Sequence, residues 1–274
     1  MGTIPYEPYD EALLGPLTPH VQLIASASAG YNEFDVPWMT SSGIWFTNTL
    51  HSVSGPTADM AIFLILAVVR NTSVAERQAR EGKWKEGLTP TPDPKGKVLG
   101  VVGMGAIGKL VTGKAGVFGM GVVYFQRRRL SEEEERGLGV RWCGSLEELL
   151  RCSDIVSLHT PLNDETKGMI SHSEFEMMKD GSFLVNTARG AIVDEHAMIA
   201  ALESGKLKRA GLDVFVDEPG INRFFMESDK VVLQPHMGGL TEEAFAASER
   251  ECLENVRALF EKGVPNSPVN RPER

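Results

Sequence analysis

Cysteine is scarce in this sequence, and metal-binding side chains do not cluster. Three cysteines, Cys143, Cys152 and Cys252, occur among 274 residues, and their spacing matches no metal-ligand motif. Because three thiols cannot all pair within one chain, a disulfide-stapled secreted domain is disfavoured and a reducing compartment is expected. We therefore predict a cytoplasmic protein that needs no metal ion.

Long apolar runs and an excess of positive charge are also missing. The longest run, MAIFLILAVV (60–69), is too short to span a bilayer as a helix, so it predicts a deeply buried helix. The net charge of −9 argues against non-specific binding to nucleic acid and to anionic membranes. The first segment, MGTIPYEPYDE, is acidic and contains proline, unlike a secretory signal. We expect neither a nucleic-acid nor a membrane partner.

Strand and helix patterns alternate through the middle of the chain. This order is typical of β-α-β units that build a parallel sheet. Strands are predicted at residues 98–103, 121–125, 154–159, 182–188, 210–215 and 231–235, with two earlier ones within 21–30 and 43–49. Helices are predicted at residues 106–117, 145–151, 171–179, 195–204 and 241–262. The fold class is therefore α/β, with a doubly wound parallel sheet and a second, partial domain formed by the two terminal segments.

Two of these helices carry recognisable end signals. Ser171 followed by Glu174 has the spacing of a capping box, in which each side chain binds the other residue's backbone amide. Asp194 is a candidate N-cap of the next helix, and Gly205 follows its last residue, where glycine favours a left-handed end. We expect the helices to begin and end accordingly.

A glycine-rich loop follows the first strand of this block. Gly103, Gly105 and Gly108 have G-x-G-x-x-G spacing between a predicted strand and a predicted helix. The first glycine permits the tight turn, the second lets the backbone approach a pyrophosphate, and the third lets the helix pack closely on the strand. The amides of Ala106 and Ile107 would then face the phosphate. A glycine-rich turn without a ligand is the alternative, but the strand–turn–helix context favours a dinucleotide site.

A run of arginines lies where the next strand ends. At this strand tip an acid suits the ribose of NAD, and a cation suits the 2′-phosphate of NADP. Gln126 stands there, followed by Arg127, Arg128 and a weaker candidate, Arg129. We predict a preference for NADP(H), with NAD(H) as a second cofactor; a solvated charged turn is the alternative. The glutamates at 132–135 are expected to form the solvated start of a helix.

Five ordered motifs give the chain a resemblance to a known family. They are GVVGMGAIG (100–108), SLHTPLNDETKGMI (157–170), LVNTARGAIVDE (184–195), AGLDVFVDEP (210–219) and LQPHMGG (233–239). On these motifs the chain resembles the D-isomer-specific 2-hydroxyacid dehydrogenases, and within them most the glyoxylate/hydroxypyruvate reductases. The resemblance implies a Rossmann-type cofactor domain at residues 55–239, a partial flavodoxin-like substrate domain at 1–54 and 240–274, and a homodimer formed through the cofactor domain.

The resemblance also implies three catalytic residues whose chemistry fits the reaction. Arg189 would bind the substrate carboxylate and polarise its keto oxygen. His236 would protonate the alkoxide during reduction and act as the base in reverse, and Glu218 would hydrogen-bond His236 and orient it. Each residue alone has a structural alternative as a surface arginine, a strand-end histidine or a turn glutamate. The matching motifs favour the catalytic set.

Further residues are assigned to the cofactor and the substrate by the same resemblance. The cofactor would contact residues of the later motifs, namely Thr160, Pro161, Thr166, Thr187, Ala188, Asp213, Gly238 and Gly239. Asp213 would lie near the nicotinamide carboxamide; the alternative is a strand-end carboxylate bound to backbone amides. The amides of Ala29 and Gly30 would hold the substrate carboxylate opposite Arg189, although Gly30 could be only a turn residue.

The expected function is reduction of a small 2-keto acid, glyoxylate or hydroxypyruvate, with NADP(H). Relatives carry a further strand–helix unit ahead of the segment that MGTIPYEPYDEALLGPL resembles, so we expect an amino-terminally truncated form of the family. Two alternatives are a dinucleotide-sensing binding protein, like the corepressors that share this fold, and a truncated form that binds cofactor without turnover. Turnover measurements combined with a pull-down separate the enzyme from the binding protein, and NADPH binding without turnover would support the truncated form.

Overall fold

The computed structural model describes residues 8–18 and 20–272. Within them the strands are β1 (Leu23–Ala25), β2 (Trp45–Thr47), β3 (Val98–Val102), β4 (Gly121–Phe125), β5 (Val140–Trp142), β6 (Ile155–Leu158), β7 (Ser182–Asn186), β8 (Leu207–Leu212) and β9 (Val231–Leu233). The helices are α1 (Glu11–Leu14), α2 (Val36–Ser41), α3 (Leu50–Arg70), α4 (Thr72–Arg80), α5 (Ala106–Val117), α6 (Glu132–Leu138), α7 (Leu146–Cys152), α8 (His172–Met177), α9 (Glu195–Ser204), α10 (Arg223–Glu227) and α11 (Glu242–Lys262). Residues 1–7 lie outside the described residues. They belong to the acidic first segment, which is predicted not to be a secretory signal.

The chain divides into two compact units. The larger unit runs from Thr57 to Gly238, and the smaller one combines the chain up to Pro56 with the chain from Gly239 onward. One boundary therefore falls inside α3 and the other falls just before α11. The domain expected at residues 55–239 differs from the larger unit only at its ends.

The larger unit contains a sheet of seven parallel strands in the order β5-β4-β3-β6-β7-β8-β9. From β3 the chain builds outward to β4 and β5, and it then returns to place β6 on the other side of β3. Such a reversal is a topological switch point, and open α/β sheets bind ligands there, beyond the carboxyl ends of the strands. The predicted Rossmann-type sheet is confirmed.

The apolar run at residues 60–69 lies in α3. By length and composition alone α3 could cross a membrane, since its most apolar window has a mean hydropathy of 1.8, but 56% of that window is buried inside the protein. Leu64 and Val68 lie against β8, where a Cβ on Gly211 would come within 3.1 Å of both side chains. The run therefore belongs to a core helix, as predicted.

Local end signals predicted the helices of the larger unit well. α5 and α9 have the predicted bounds. The Asp194 side chain caps α9, and Gly205 adopts the left-handed conformation at its end with φ of 82°. Ser171 and Glu174 form the predicted capping box at the start of α8. These signals succeed because the hydrogen bonds that end a helix are made within a few residues of chain.

Two strands of the sheet differ most from the prediction, while β3, β6, β7 and β9 are shorter than predicted by one or two residues. The sequence predicts a strand at 210–215, whereas β8 begins at Leu207 and ends at Leu212. The charged residue Arg209 interrupts the apolar pattern, so the sequence does not indicate where this strand begins. In the structure the Arg209 guanidinium donates a 3.0 Å hydrogen bond to the carbonyl of Val68. The chain then leaves the sheet at Asp213. β5 is not predicted at all, because its three residues are too few to show a periodic pattern.

The smaller unit contains a two-stranded parallel sheet of β1 and β2. Both strands lie within the predicted segments, but each spans only three residues. Met39, Ile44 and Phe46 form the buried centre of this unit. Asn270 attaches the last segment of the chain to that centre, since its Oδ1 accepts a 2.7 Å hydrogen bond from the Phe46 amide and its Nδ2 donates to the Ile44 carbonyl at 2.9 Å.

Candidate active site

The glycine loop after β3 has the backbone geometry of a phosphate cradle. Gly103 has a φ of 95°, and a Cβ at this position would lie 2.7 Å from the carbonyl oxygen of His159. A Cβ on Gly108 would overlap the carbonyl oxygen of Gly103, because α5 approaches the loop closely. A Cβ on Gly105, in contrast, would meet nothing within 4 Å. Two of the glycines are thus required by packing, while the third leaves open space for a ligand.

The start of α5 adds hydrogen-bond donors to that open space. Ala106 and Ile107 are the first residues of the helix, and the first four amides of a helix have no acceptor within it. Gly105 is the N-cap residue and provides no side-chain acceptor for them. Open space beside these amides, at the positive end of the helix dipole, fits the pyrophosphate of a dinucleotide.

Gln126 connects the tip of β4 to the glycine loop. Its Oε1 accepts a hydrogen bond from the Met104 amide at 3.2 Å, and its Nε2 donates to the Arg128 carbonyl at 2.7 Å. The side chain is therefore held across the loop, in the place where an NAD-binding site would have a carboxylate. A neutral amide at this place exerts no repulsion on a 2′-phosphate.

The three arginines that follow Gln126 have different partners. Arg127 forms an exposed ion pair with Glu165, with 2.6 Å between Nη1 and Oε2. The Arg128 side chain makes no ion pair or hydrogen bond to any other described residue. Arg129 binds Glu135 through two hydrogen bonds of 2.9 and 2.7 Å. Arg129 is therefore bound to Glu135, and Arg127 and Arg128 remain as candidates for the predicted phosphate site.

Glu135 corrects the expectation that the glutamates at 132–135 are all solvated. The residue is only 8% exposed, and its carboxylate accepts a hydrogen bond from the Tyr124 hydroxyl at 2.7 Å as well as those from Arg129. The hydrogen bonds from Arg129 and Tyr124 lower the pKa of Glu135 to about 2. The sequence pattern could not separate Glu135 from its neighbours, because its partners come from β4 and from the loop before the helix.

His236 and Glu218 form a hydrogen-bonded pair. Nδ1 of His236 and Oε2 of Glu218 are 2.6 Å apart, and Oε1 of Glu218 accepts a hydrogen bond from the Phe215 amide at 2.9 Å. The His236 side chain is 38% exposed, and its Nε2 has no hydrogen-bond partner among the described residues. One ring nitrogen is thus occupied by the carboxylate, while the other is open to a ligand.

Asp213 holds the loop that carries His236. Its carboxylate is 1% exposed and accepts hydrogen bonds from the amides of Met237 at 2.7 Å and Gly238 at 2.8 Å. The His236 amide donates to the Asp213 carbonyl at 2.8 Å. His236 has a φ of 55°, an unfavourable conformation for a residue other than glycine, and these three hydrogen bonds hold it there. The contacts of Asp213 match the alternative interpretation, a strand-end carboxylate bound to backbone amides.

Arg189 lies on the loop after β7. Its backbone carbonyl accepts a 2.9 Å hydrogen bond from Nδ2 of Asn186, and Oδ1 of Asn186 accepts one of 3.0 Å from the Ala188 amide. Gly190 packs so closely on the backbone of Phe215 that any Cβ would overlap it. Sequence analysis missed both supports of this loop. The signal for them was present in NTARG, as an asparagine at a strand end and a glycine directly after the arginine.

The charges of this region act on the Glu218 carboxylate. Burial opposes its ionisation, but hydrogen bonds from His236 and the Phe215 amide, with the positive charges of His236 and Arg189, outweigh burial and lower its pKa. Burial raises the pKa of Asp213, although two backbone amides bind its carboxylate. The structure therefore brings Arg189, Glu218 and His236 within electrostatic range of one another, at the carboxyl ends of neighbouring strands.

The lowered pKa of Glu218 predicts a pH-dependent contribution to stability. A carboxylate whose pKa is lowered by folding stabilises the protein above its ordinary pKa of 4.5, and that contribution disappears as pH falls through the lowered value. We expect Glu218→Gln to reduce the free energy of unfolding at neutral pH, and the difference from the native chain to shrink below that ordinary pKa. Urea denaturation across the acidic range measures it; a difference that does not vary with pH would contradict the prediction.

The remaining predicted cofactor residues of the larger unit lie on loops near the ends of β6, β7 and β9. Thr160 and Pro161 follow β6, and the Thr166 hydroxyl donates to the Pro161 carbonyl at 2.6 Å. Thr187 and Ala188 follow β7, and the Thr187 hydroxyl is buried without a hydrogen-bond partner in the described residues. These loops surround the same edge of the sheet as the glycine loop.

Three predicted residues belong to the smaller unit. Gly239 begins its second segment, where a Cβ would lie 3.2 Å from the Val53 side chain. The carbonyl of Ala29 accepts a hydrogen bond from Nδ2 of Asn48 at 2.7 Å, and that of Gly30 accepts one from the Ser28 hydroxyl at 2.8 Å. Both carbonyls of the Ala29–Gly30 loop are thus held by side chains.

His159 is a buried residue beside the glycine loop that sequence analysis left without a role. Its Nε2 lies 2.9 Å from the Ser157 hydroxyl oxygen, and burial lowers its pKa to about 4. The imidazole is therefore neutral at physiological pH and brings no charge to the loop, while its backbone carbonyl is the group that excludes a side chain at Gly103. Among the described residues, no group of three or more histidine, cysteine or acidic side chains could hold a metal ion.

One protein family matches most of the chain. The profile described as "D-isomer specific 2-hydroxyacid dehydrogenase, NAD binding domain" matches residues 62–238, which include the glycine loop, Arg189, Glu218 and His236. The match therefore covers most of the larger unit.

Individual relatives match over nearly the whole chain. Dehydrogenase efuE of Hormonema carpetanum is 58% identical, over 98% of this chain and 68% of the relative. The 4-methyl-2-oxopentanoate reductase A of Aspergillus oryzae is 42% identical, over 93% of this chain and 77% of the relative. The crystal structure of a glyoxylate reductase from Paecilomyes thermophila is 40% identical and superposes with a TM-score of 0.91, over 96% of this chain and 79% of that chain.

Proposed function

The chain belongs to the D-isomer-specific 2-hydroxyacid dehydrogenase family, and we propose that it reduces glyoxylate or hydroxypyruvate to the D-2-hydroxy acid with NADP(H) as the preferred cofactor. The observation that carries this proposal is the His236–Glu218 pair, which lies within electrostatic range of Arg189 at the edge of the sheet where the glycine loop also lies. A proton donor, a carboxylate-binding cation and a dinucleotide cradle are the three elements that this reduction requires.

His236 supplies the proton in the proposed reaction. Glu218 occupies Nδ1, which fixes the ring orientation and leaves the proton of Nε2 for the keto oxygen as that oxygen becomes an alkoxide. In the reverse direction the neutral ring takes the proton of the hydroxyl group. A nicotinamide dinucleotide bound at the glycine loop supplies the hydride for the reduction.

Arg189 binds the substrate in the proposed reaction. A guanidinium presents several N–H groups in one plane, so it can bind the carboxylate of a 2-keto acid and direct a further N–H at the keto oxygen. The negative charge that develops on that oxygen makes the contact stronger in the transition state than in the bound substrate. Ala29 and Gly30 are proposed as the second contact of the substrate carboxylate.

The proposed cofactor preference rests on Gln126, Arg127 and Arg128. The exposed ion pair between Arg127 and Glu165 does not prevent this role, because exposed ion pairs contribute only about 0–1 kcal/mol. A 2′-phosphate, with up to two negative charges, can therefore replace the Glu165 carboxylate as the partner of Arg127. Arg128 has no such partner to displace among the described residues.

Removal of Arg127 is expected to weaken NADPH binding selectively. Arg127→Ala should reduce the affinity for NADPH by about 1–3 kcal/mol, the size of one charge-assisted hydrogen bond, and should leave NADH affinity nearly unchanged. Calorimetric titration with both cofactors measures the difference. Arg136→Ala is the matched control, since Arg136 is about as exposed as Arg127 and, among the described residues, forms its ion pair with Glu132 on its own helix. Equal losses for NADPH and NADH would refute a phosphate site at Arg127.

A steady-state assay tests the proposed function directly. NADPH and NADH are each compared with a panel of 2-keto acids that contains glyoxylate, hydroxypyruvate and 4-methyl-2-oxopentanoate. The last compound is included because a relative of 42% identity is named for its reduction. The proposal expects the highest kcat/KM for NADPH with glyoxylate or hydroxypyruvate, and preference for the branched acid would replace the proposed substrate class.

The same assay separates the enzyme from its two alternatives. Cofactor binding without turnover on any acid of the panel would favour an inactive form or a dinucleotide-sensing binding protein. A pull-down with and without NADPH then distinguishes these two, because only the sensing protein captures a partner in a cofactor-dependent manner. Homodimer formation through the larger unit and a cytoplasmic location stay predictions.

A further inference from the structure

A buried polar network lies behind the strand tip that carries the arginine run. The Tyr124 hydroxyl donates to Oε1 of Glu135 at 2.7 Å and accepts a hydrogen bond from the Leu130 amide at 2.9 Å. Arg129 binds both oxygens of Glu135, and its guanidinium lies 5.4 Å from the ring centre of Trp142. We call Tyr124, Arg129 and Glu135 the clamp. Tyr124 is fully buried and Glu135 nearly so, which is an unusual environment for a carboxylate on the first turn of a surface helix.

The clamp fixes one end of residues 126–130, the segment that is proposed to bind the 2′-phosphate of the cofactor. At the near end of this segment Gln126 is bonded to the Met104 amide and to the Arg128 carbonyl. At its far end Leu130 is bonded to the hydroxyl of the clamp's tyrosine, and the clamp's arginine is bonded to its glutamate. Arg127 and Arg128 lie between the two anchored ends. Their backbone positions are therefore set by the clamp, although neither side chain contacts it.

The clamp also determines which charges reach the strand tip. Arg129 and Glu135 form an ion pair with each other, so neither brings an unpaired charge to the strand tip. Two other glutamates of α6 have ion-pair partners outside the clamp: Glu134 pairs with Lys109 of α5, and Glu132 pairs with Arg136. Arg127 and Arg128 consequently present positive charge at the tip without an acidic group of α6 in contact with either.

The protonation state of the clamp does not vary over the physiological range. Burial and the hydrogen bond to Glu135 raise the pKa of Tyr124 to about 12. The hydrogen bonds from Arg129 and Tyr124 lower the pKa of Glu135 to about 2. The carboxylate thus stays charged and the phenol stays neutral wherever the protein is folded at moderate pH, so the clamp acts as a fixed support and not as a switch.

We propose that Tyr124 and Glu135 are positioning residues for cofactor selectivity: by anchoring Arg129 and Leu130, they hold Arg127 and Arg128 where a 2′-phosphate can bind. The inference rests on the proposed NADP(H) preference and extends it to residues that do not touch the cofactor. A preorganised pair of cations loses less conformational freedom when it binds a phosphate than a mobile pair does. Loss of the clamp should therefore weaken the binding of NADPH and leave the binding of NADH nearly unchanged.

Two variants test this inference through binding rather than through turnover. Glu135→Gln removes the charge that holds Arg129, and Tyr124→Phe removes the hydroxyl while keeping the buried ring. We expect each to raise the Kd for NADPH by about tenfold, the loss of one well-placed charge-assisted contact, and to change the Kd for NADH by less than about twofold. Glu133→Gln is the matched control, because this exposed residue of α6 makes no ion pair or hydrogen bond with any other described residue.

A structural readout accompanies the titrations. The Leu130 amide should exchange its hydrogen faster in Tyr124→Phe, because its acceptor is gone, while the amides of β4 keep their protection. If Glu135→Gln does not fold, as thermal unfolding would show, the milder Tyr124→Phe variant carries the test. Faster exchange at Leu130 with an unchanged ratio of NADPH to NADH affinity would overturn the inference, and so would equal losses of both affinities.

The test distinguishes failure of the inference from failure of the proposed function. If the native chain binds NADPH no better than NADH, the proposed cofactor preference is wrong and the clamp has no selectivity to support. If the native chain prefers NADPH and the clamp variants keep that preference, only the inference is wrong. If the variants lose the preference while kcat at saturating cofactor stays within about twofold, the clamp acts on cofactor binding and not on chemistry.

Discussion

His236→Ala should lower kcat for 2-keto acid reduction by about 10²–10⁴-fold, the usual contribution of a positioned general acid. Alanine removes the proton donor and leaves the Glu218 carboxylate without its imidazole partner. The fall should appear in kcat more than in KM, because proton donation to the keto oxygen develops only in the transition state. Steady-state kinetics with NADPH and glyoxylate measures both parameters.

His196→Ala is the control for this result. His196 is an exposed residue of α9, so the same substitution removes an imidazole without touching the site. Its kinetic constants should match those of the native chain. A His236→Ala protein that binds NADPH with native affinity and keeps native kcat would show that His236 is not the general acid.

Arg189→Lys should lower kcat/KM for the 2-keto acid by about 10²–10³-fold, the scale on which loss of a donor to a developing oxyanion acts. Lysine keeps the positive charge, so the expected loss isolates the planar, multiple hydrogen bonding of the guanidinium. Both kcat and KM should change, because Arg189 is proposed to bind the carboxylate in the bound substrate and the keto oxygen in the transition state. Cofactor affinity should stay native.

Arg223→Lys provides the matched exchange elsewhere in the larger unit. Arg223 is exposed and, within the part of the chain that the structure describes, pairs with Glu227 of the same helix, so lysine there should leave the activity unchanged. Full activity of Arg189→Lys would contradict the proposed geometry, since a single ammonium cannot reproduce two parallel hydrogen bonds to a carboxylate. Loss of activity in both exchanges would indicate a general effect on folding.

Residues whose neighbours lie close in sequence were predicted well. The capping box of Ser171 and Glu174 and the left-handed Gly205 are decided by contacts within a few residues. The positive φ of Gly103 was also predictable, since this residue makes the turn between a strand and a helix that follow one another in the chain. Motif order was informative too, because the ends of successive parallel strands meet at one edge of the sheet. The catalytic roles of Arg189, Glu218 and His236 stay predictions.

Residues whose environment comes from distant segments were not predictable from local pattern. The carboxylate of Asp213 binds two amides more than 20 residues further along the chain, and sequence analysis predicted backbone amides only as the alternative, without identifying which ones. Gly190 is required because the backbone of Phe215 packs against it; the motif NTARG shows a glycine there but does not identify the segment that approaches it. Such close approaches exist only once two strands are neighbours in the sheet.

The arginine run shows which properties the sequence determines and which ones depend on the tertiary structure. The sequence by itself determined the order of strands and helices, the glycine loop, the membership of a dehydrogenase family and the absence of an acid at the tip of β4. Only the tertiary structure decided which charged side chains of QRRRLSEEEE are buried, which form ion pairs and which stay exposed. Glu135 is buried beside Tyr124 and binds Arg129, because a buried carboxylate requires hydrogen-bond partners. Arg127 and Arg128 stay at the surface, since an exposed arginine has no such requirement.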